Sequence, residues 1–209
     1  MEKKIGWMIV LFITEMPKEA KEKILFAGLV LFTNEGFKNT SVLDIVELAR
    51  VSKTTFYQHF TSKEQLMAHL FAVLAAEIME EVKLAVSNEH RTAYKAYAGI
   101  HRYIEICFTN IKAASLVLVE SVGVSPEVEK VRSEAHRRFA GMMFEMVQGL
   151  LPKTVLEQEI RIVSQAMVGA INEVVIQNYN DEGNGIVHFD ELARLLNRMV
   201  IAAFVNLAN

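Results

Sequence analysis

The sequence predicts an all-α protein. Apolar residues recur at spacings of three and four from Pro17 almost to the end, and long alternating strand patterns are missing. Only three prolines and ten glycines interrupt the 209 residues, so collagen-like and Pro-rich classes are excluded. With 52% apolar residues, the chain can bury a sizeable core without metal or disulfide staples.

The first residues, 1–16, read as an apolar N-terminal extension. The apolar run Ile5–Ile13 follows a charged start but leads into Thr14-Glu15-Met16-Pro17, with no small-residue cleavage site. It is far short of the ~20 residues a membrane helix needs. The alternative is an upstream start, with Met16 as the natural beginning. A single cysteine, Cys107, excludes an intramolecular disulfide and, with no export signal, predicts a cytoplasmic protein.

The first helix is expected over Lys18–Asn34, with Ala20, Ile24, Leu25, Gly28, Leu31 and Phe32 as its stripe and Glu35-Gly36 as its stop. A short helix follows over Val42–Ala49, its apolar positions Val42, Ile45, Leu48 and Ala49. Ser41 and Asp44 stand at capping-box spacing at its start. Arg50-Val51-Ser52 makes a tight break, and Lys53–Phe60 forms a second short helix. Thr61 with Glu64, and Ser62 with Gln65, then open a long helix to about Val86, long enough to tie two parts of the molecule together.

Two short helices with a three-residue break are the pattern of a helix-turn-helix, whose second helix enters the DNA major groove. At 100° per residue, Phe56 and Phe60 lie about 40° apart and mark the buried side. Gln58 then points directly away, with Thr54 and Thr55 beside it and Tyr57 and His59 at the edges. This face has hydrogen-bonding groups and no carboxylate. Gln can pair with adenine, and Thr can meet a thymine methyl or a base edge. Tyr57, His59 and Lys63 suit phosphates, which fix register. Lys53 adds a cation, and the free N–H groups near Lys63 add an anion site. The net charge of −3 excludes a uniformly basic coat, but Gly36–Lys63 holds four cations against two carboxylates. A solvated helix of no function would also satisfy this spacing.

The stretch Thr40–Phe71 resembles the DNA-binding segment of TetR/AcrR-type transcriptional regulators. The resemblance rests on Thr40, Ile45, Ala49, Val51, Ser52, Thr55, Tyr57, His59, Phe60, Ser62, Lys63, Glu64 and Leu66. It implies a helix-turn-helix DNA-binding domain over 17–63, and a larger helical ligand-binding and dimerisation domain over 64–209. Thr40, Arg50, Lys53, Thr54, Thr55, Tyr57, Gln58, His59 and Lys63 are the expected DNA contacts. Arg50 stands where the family has Gly, a position that requires positive φ; an Arg there costs about 1 kcal/mol and gains a possible phosphate contact. Thr54 stands where Gly or Pro is common, which offers an added base contact.

Beyond the long helix, helical patterns cover Thr92–Phe108, Ile111–Val119, Pro126–Leu151, Thr154–Tyr179 and His188–Leu207. Ser125-Pro126 reads as an N-cap with Pro in the first helical position. The resemblance implies that the last two helices pair with those of a second copy. His101, Tyr103, Phe108, His136, Phe139, Met143, Asn172, Glu173 and Gln177 are candidate ligand contacts within these apolar helices; each is also compatible with surface or core.

The expected partners are double-stranded DNA with a palindromic operator, a small apolar or amphipathic effector and a second copy of the chain, with no membrane. The function implied is a ligand-responsive transcriptional regulator, a repressor released by its effector. No cofactor, metal or catalytic residue is assigned: Gly-rich phosphate loops, H-E-x-x-H and G-x-S-x-G are missing. Two rival readings remain. Asn180–Glu191 aligns with a calcium-binding EF-hand loop, with Gly185 sixth and Glu191 twelfth, although Asn180 stands where Asp is usual and the loop is a single copy. The other rival is a helical interaction protein without DNA affinity. Within the regulator reading, Cys107 is a second option as a redox-sensing thiol.

Overall fold

In the computed structural model, residues 15–180 and 189–208 are described. The apolar run Ile5–Ile13 and most of the EF-hand-like loop lie outside them. The described residues form α1 (Ala20–Asn34), α2 (Val42–Ala49), α3 (Lys53–His59), α4 (Lys63–Asn88), α5 (Thr92–Thr109), α6 (Ile111–Ser115), α7 (Pro126–Val147), α8 (Glu157–Asn180) and α9 (Phe189–Leu207). A π-helical turn, Leu116–Glu120, prolongs α6. No strand occurs among the described residues.

The helix ends follow local chemistry. Gly36 takes φ 82 beyond α1, the left-handed conformation that ends helices and suits Gly. The expected capping box opens α2: the Asp44 N–H donates to Ser41 Oγ at 3.2 Å, and the Ser41 N–H donates to Asp44 Oδ2 at 2.7 Å. That second bond holds the Asp44 carboxyl below its ordinary pKa. At α4 the Gln65 N–H donates to Ser62 Oγ, while Gln65 Oε1 accepts from the N–H of Thr61. α7 stops at Val147, short of Leu151: the Gln148 N–H still donates to the Phe144 carbonyl, and the Leu150 N–H then closes a turn on the Val147 carbonyl. α8 starts at Glu157, where the Leu156 N–H donates to Glu159 Oε2.

The chain divides into two compact units. The first contains the described residues to Glu77 with Asn110–Arg132; the second contains Ile78–Thr109 and the described part of Ser133–Asn209. The first unit is therefore larger than residues 17–63. It takes in the first part of α4, α6 with its π-turn, and the start of α7.

In the first unit α1 packs on α2, α3 and α6. Ile24, Phe32, Ile45, Ala49, Phe56, Leu66 and Leu70 are fully buried. A Cβ on Gly28 would meet Leu66 Cδ2 at 2.9 Å, so this glycine sets how closely α1 approaches α4. Arg132 braces the π-turn: its Nη1 donates to Ser121 Oγ at 2.7 Å and to the Val117 carbonyl at 3.2 Å. In the second unit α5, α8 and α9 pack together around Ile104, Ile106, Val175, Leu192, Ala193 and Leu196. Gly99 lets α5 approach α4, since a Cβ there would meet Val86 Cγ2 at 2.9 Å. No described helix is long and apolar enough to cross a membrane.

Candidate nucleic-acid interface

The turn between α2 and α3 determines how α3 is presented. Arg50 has φ 53 and ψ 47, the left-handed conformation, and is the only described non-Gly residue with positive φ. Its N–H donates to the Glu47 carbonyl and the Val51 N–H to that of Val46. Ser52 then caps α3: its Oγ accepts from the Thr55 N–H at 3.0 Å and shares a hydrogen bond with Thr55 Oγ1 at 2.8 Å. The turn thus starts α3 after only three intervening residues, Arg50, Val51 and Ser52.

Phe56 and Phe60 anchor α3. Both are buried, with ring centroids 6.0 Å apart. Lys53, Thr54, Tyr57, Gln58 and His59 are exposed, and Thr55 is half-buried. Tyr57 is 54% exposed and meets Phe56 edge-on at 5.3 Å, so its phenol stands out from the surface on an aromatic base. The outward face carries no carboxylate, as the angular arithmetic requires.

A groove of about 420 Å³ runs beside this face, lined by residues of the α1–α2 turn, Tyr57 and the start of α4. Lys38, Ser41, Thr61 and Ser62 border it, and the N-termini of α2 and α4 open on it. Positive helix ends and a lysine suit an anionic backbone; Asp44 and Glu64 at those ends oppose it locally.

Two expected DNA contacts are turned inward. Thr40 is 2% exposed, and its hydroxyl donates to the Gly36 carbonyl at 2.9 Å. The half-buried Lys63 extends over the Phe37 ring, 4.4 Å from its centroid. Its Nζ donates to the carbonyls of Phe37 and Thr40, both at 2.9 Å. On α2, Leu43 and Leu48 are exposed, while Ile45, Val46 and Ala49 face the core.

The ligand candidates of the second unit divide into four sets. Tyr103, His136, Phe139 and Asn172 meet: the Tyr103 hydroxyl donates to Asn172 Oδ1 at 2.7 Å, Asn172 Nδ2 lies 3.4 Å from His136 Nε2, and Tyr103 and Phe139 stack edge-on at 6.0 Å. Burial, with Cys107 alongside, raises the Tyr103 phenol well above its ordinary pKa. Met143 is buried and Phe108 half-buried. His101 instead pairs with Asp190 Oδ1 at 2.6 Å and stacks edge-on against Phe189. Glu173 and Gln177 are exposed and bond to each other at 2.8 Å. Burial pushes the Cys107 thiol to about 12, so it holds its proton at neutral pH, which removes the reactive thiolate that redox sensing needs. No group of three His, Cys, Asp or Glu able to hold a metal occurs among the described residues.

The comparisons with known proteins point the same way. Residues 24–70 match the family described as bacterial regulatory proteins, tetR family. The HTH-type transcriptional regulator YuxN of Bacillus subtilis is 28% identical over 112 residues, which are 50% of this chain and 38% of YuxN. YhgD of the same organism is 31% identical over 88 residues, 41% of this chain and 46% of YhgD. The chain thus spans less than half the length of these curated relatives. Among solved structures, the fatty acid degradation regulator FadR of Bacillus halodurans superposes with a TM-score of 0.75 at 16% identity, covering 90% of this chain and 97% of that one. FadR of B. subtilis, in complex with stearoyl-CoA, superposes with a TM-score of 0.73 at 17% identity, covering 87% and 97%. At such identities the likeness shows a common fold.

Proposed function

Residues 24–70 are a helix-turn-helix domain of the tetR family of bacterial regulatory proteins, and from this premise we propose that the protein is a cytoplasmic, effector-controlled repressor. Two copies bind a two-fold symmetric operator, one α3 in each half-site. The observation that carries this reading is the left-handed Arg50 turn, which presents a carboxylate-free α3 face while Phe56 and Phe60 hold it to the core. Gln58 and Thr54 read bases; Lys53, Tyr57, His59, Arg50 and the helix ends beside Lys38 contact phosphates.

Pairing of the copies through α8 and α9 is supported by side chains left open to solvent. Ile162, Leu195, Met199, Ile201 and Val205 are each about half exposed, an apolar surface that a second copy would cover. The effector is proposed to enter the second unit at Tyr103, His136, Phe139 and Asn172. Long-chain acyl thioesters are the first class to test, because the B. subtilis neighbour holds stearoyl-CoA. α4, uninterrupted from Lys63 to Asn88, is the proposed route from effector to reading helix.

Fluorescence anisotropy of the full chain on random duplex DNA at several salt concentrations tests the reading. Affinity should fall steeply and linearly on a log–log plot as salt rises. A chain without affinity at low salt would instead be the helical interaction protein of the rival reading.

A further inference from the structure

We propose that a cleft in the first unit, at the C-terminal end of α3, binds a small zwitterionic amino carboxylate. The cleft has a volume of about 320 Å³, at the lower end of the range for ligand sites, so its ligand is small. Its wall includes Lys21 from α1, His59 and Phe60 at the end of α3, His69 from α4, and Glu127 and Val131 from α7. Lys21, His59 and Glu127 are exposed, His69 is half-buried and Phe60 is buried. His69 lies edge-on to Phe60, with centroids 5.6 Å apart.

The charges define the ligand class. Lys21 supplies one positive charge and Glu127 one negative. A plain anion would be drawn to Lys21 and opposed by Glu127, and a plain cation the reverse. A molecule carrying both a carboxylate and an ammonium complements both. Burial, and secondarily Lys21, disfavours a proton on the half-buried His69, so its neutral ring offers a carboxylate one N–H donor and Lys21 supplies the charge. Phe60 and Val131 offer apolar surface for a short side chain. His59, His69 and Glu127 do not form a metal centre.

An occupant would touch the last turn of the reading helix. Ligand and DNA would then alter each other's affinity by one common factor. Occupancy of the cleft itself does not depend on DNA, so the two proposals can fail separately.

The test follows the imidazole NMR signals of His59 and His69 in the full chain during titration with L-valine, L-leucine and L-methionine. The expected result is a saturable shift of both rings by at least one of them. For L-leucine, removing the amine (4-methylpentanoate) or the carboxylate (3-methylbutylamine) should weaken binding about tenfold. Lys21→Met and Glu127→Gln should weaken it similarly, with the unfolding midpoint unchanged. The proposal is overturned if none of the three amino acids gives a saturable shift. Equal affinity for L-leucine and 4-methylpentanoate, or unaltered binding in both variants, would overturn it as well.

Discussion

Lys63 Nζ donates a hydrogen bond to the Thr40 carbonyl at 2.9 Å, joining the start of α4 to the turn before α2. Both residues stand where the sequence pattern suggests DNA contacts, yet each satisfies protein groups. A second bond from Lys63 to the Phe37 carbonyl and its seat over the Phe37 ring complete the tie. Lys63→Ala should therefore destabilise the first unit, by about 1.5–3 kcal/mol for lost bonds from a charged donor. Urea unfolding measures this. Unchanged stability with a reduced salt slope of DNA binding would return Lys63 to the role of a simple phosphate contact.

Arg50 is held in left-handed backbone. Arg50→Gly should relieve about 1 kcal/mol of strain and raise the unfolding midpoint. If the guanidinium also meets a phosphate, the same variant lowers the salt slope of DNA binding by about 0.9. Stability and affinity then move in opposite directions, a signature that neither a purely structural nor a purely DNA-contacting arginine would give.

Much of this was legible in the sequence because helix ends and turns are local. Ser41 with Asp44 gave the α2 box and Gly36 gave the α1 stop, while the strained turn at Arg50 came from the family resemblance, which places glycine there. Phe56 and Phe60, one turn apart, oriented α3. The inward course of Lys63 was not legible, since it depends on carbonyls more than twenty residues away. The π-turn at Leu116–Glu120 was also hidden, because one turn of π-helix barely alters apolar spacing. Glu173 and Gln177 could have been separated from the ligand candidates, since residues four apart on a helix face each other.

Met199 is 44% exposed on α9. Met199→Glu should leave the single chain folded and prevent pairing, because a carboxylate buried without a partner in an apolar interface is costly. Analytical ultracentrifugation should show a dimer for the natural chain and a folded monomer for the variant. A dimer of unchanged strength would exclude this part of α9 from the interface.

His69 introduces a pH dependence. Burial, and secondarily Lys21, lowers its pKa below 6.5. The unfolded chain therefore binds the His69 proton before the folded chain does. The His69 contribution to stability is present above about pH 6.5 and is lost as pH falls through the folded value. Unfolding curves from pH 7.5 downward should show this loss, and His69→Gln should flatten it. A variant that retains the full slope would assign it to another group.

The most direct test of the account is selection of bound sequences from a pool of random duplexes, run in parallel with the natural chain and with Gln58→Ala. The account predicts a two-fold symmetric site for the natural chain. In the variant it predicts relaxed preference at one base pair in each half-site, at a cost of roughly 1–3 kcal/mol there. Enrichment of no sequence by the natural chain, or an identical site in both selections, would contradict the assignment of α3 as the helix that reads DNA.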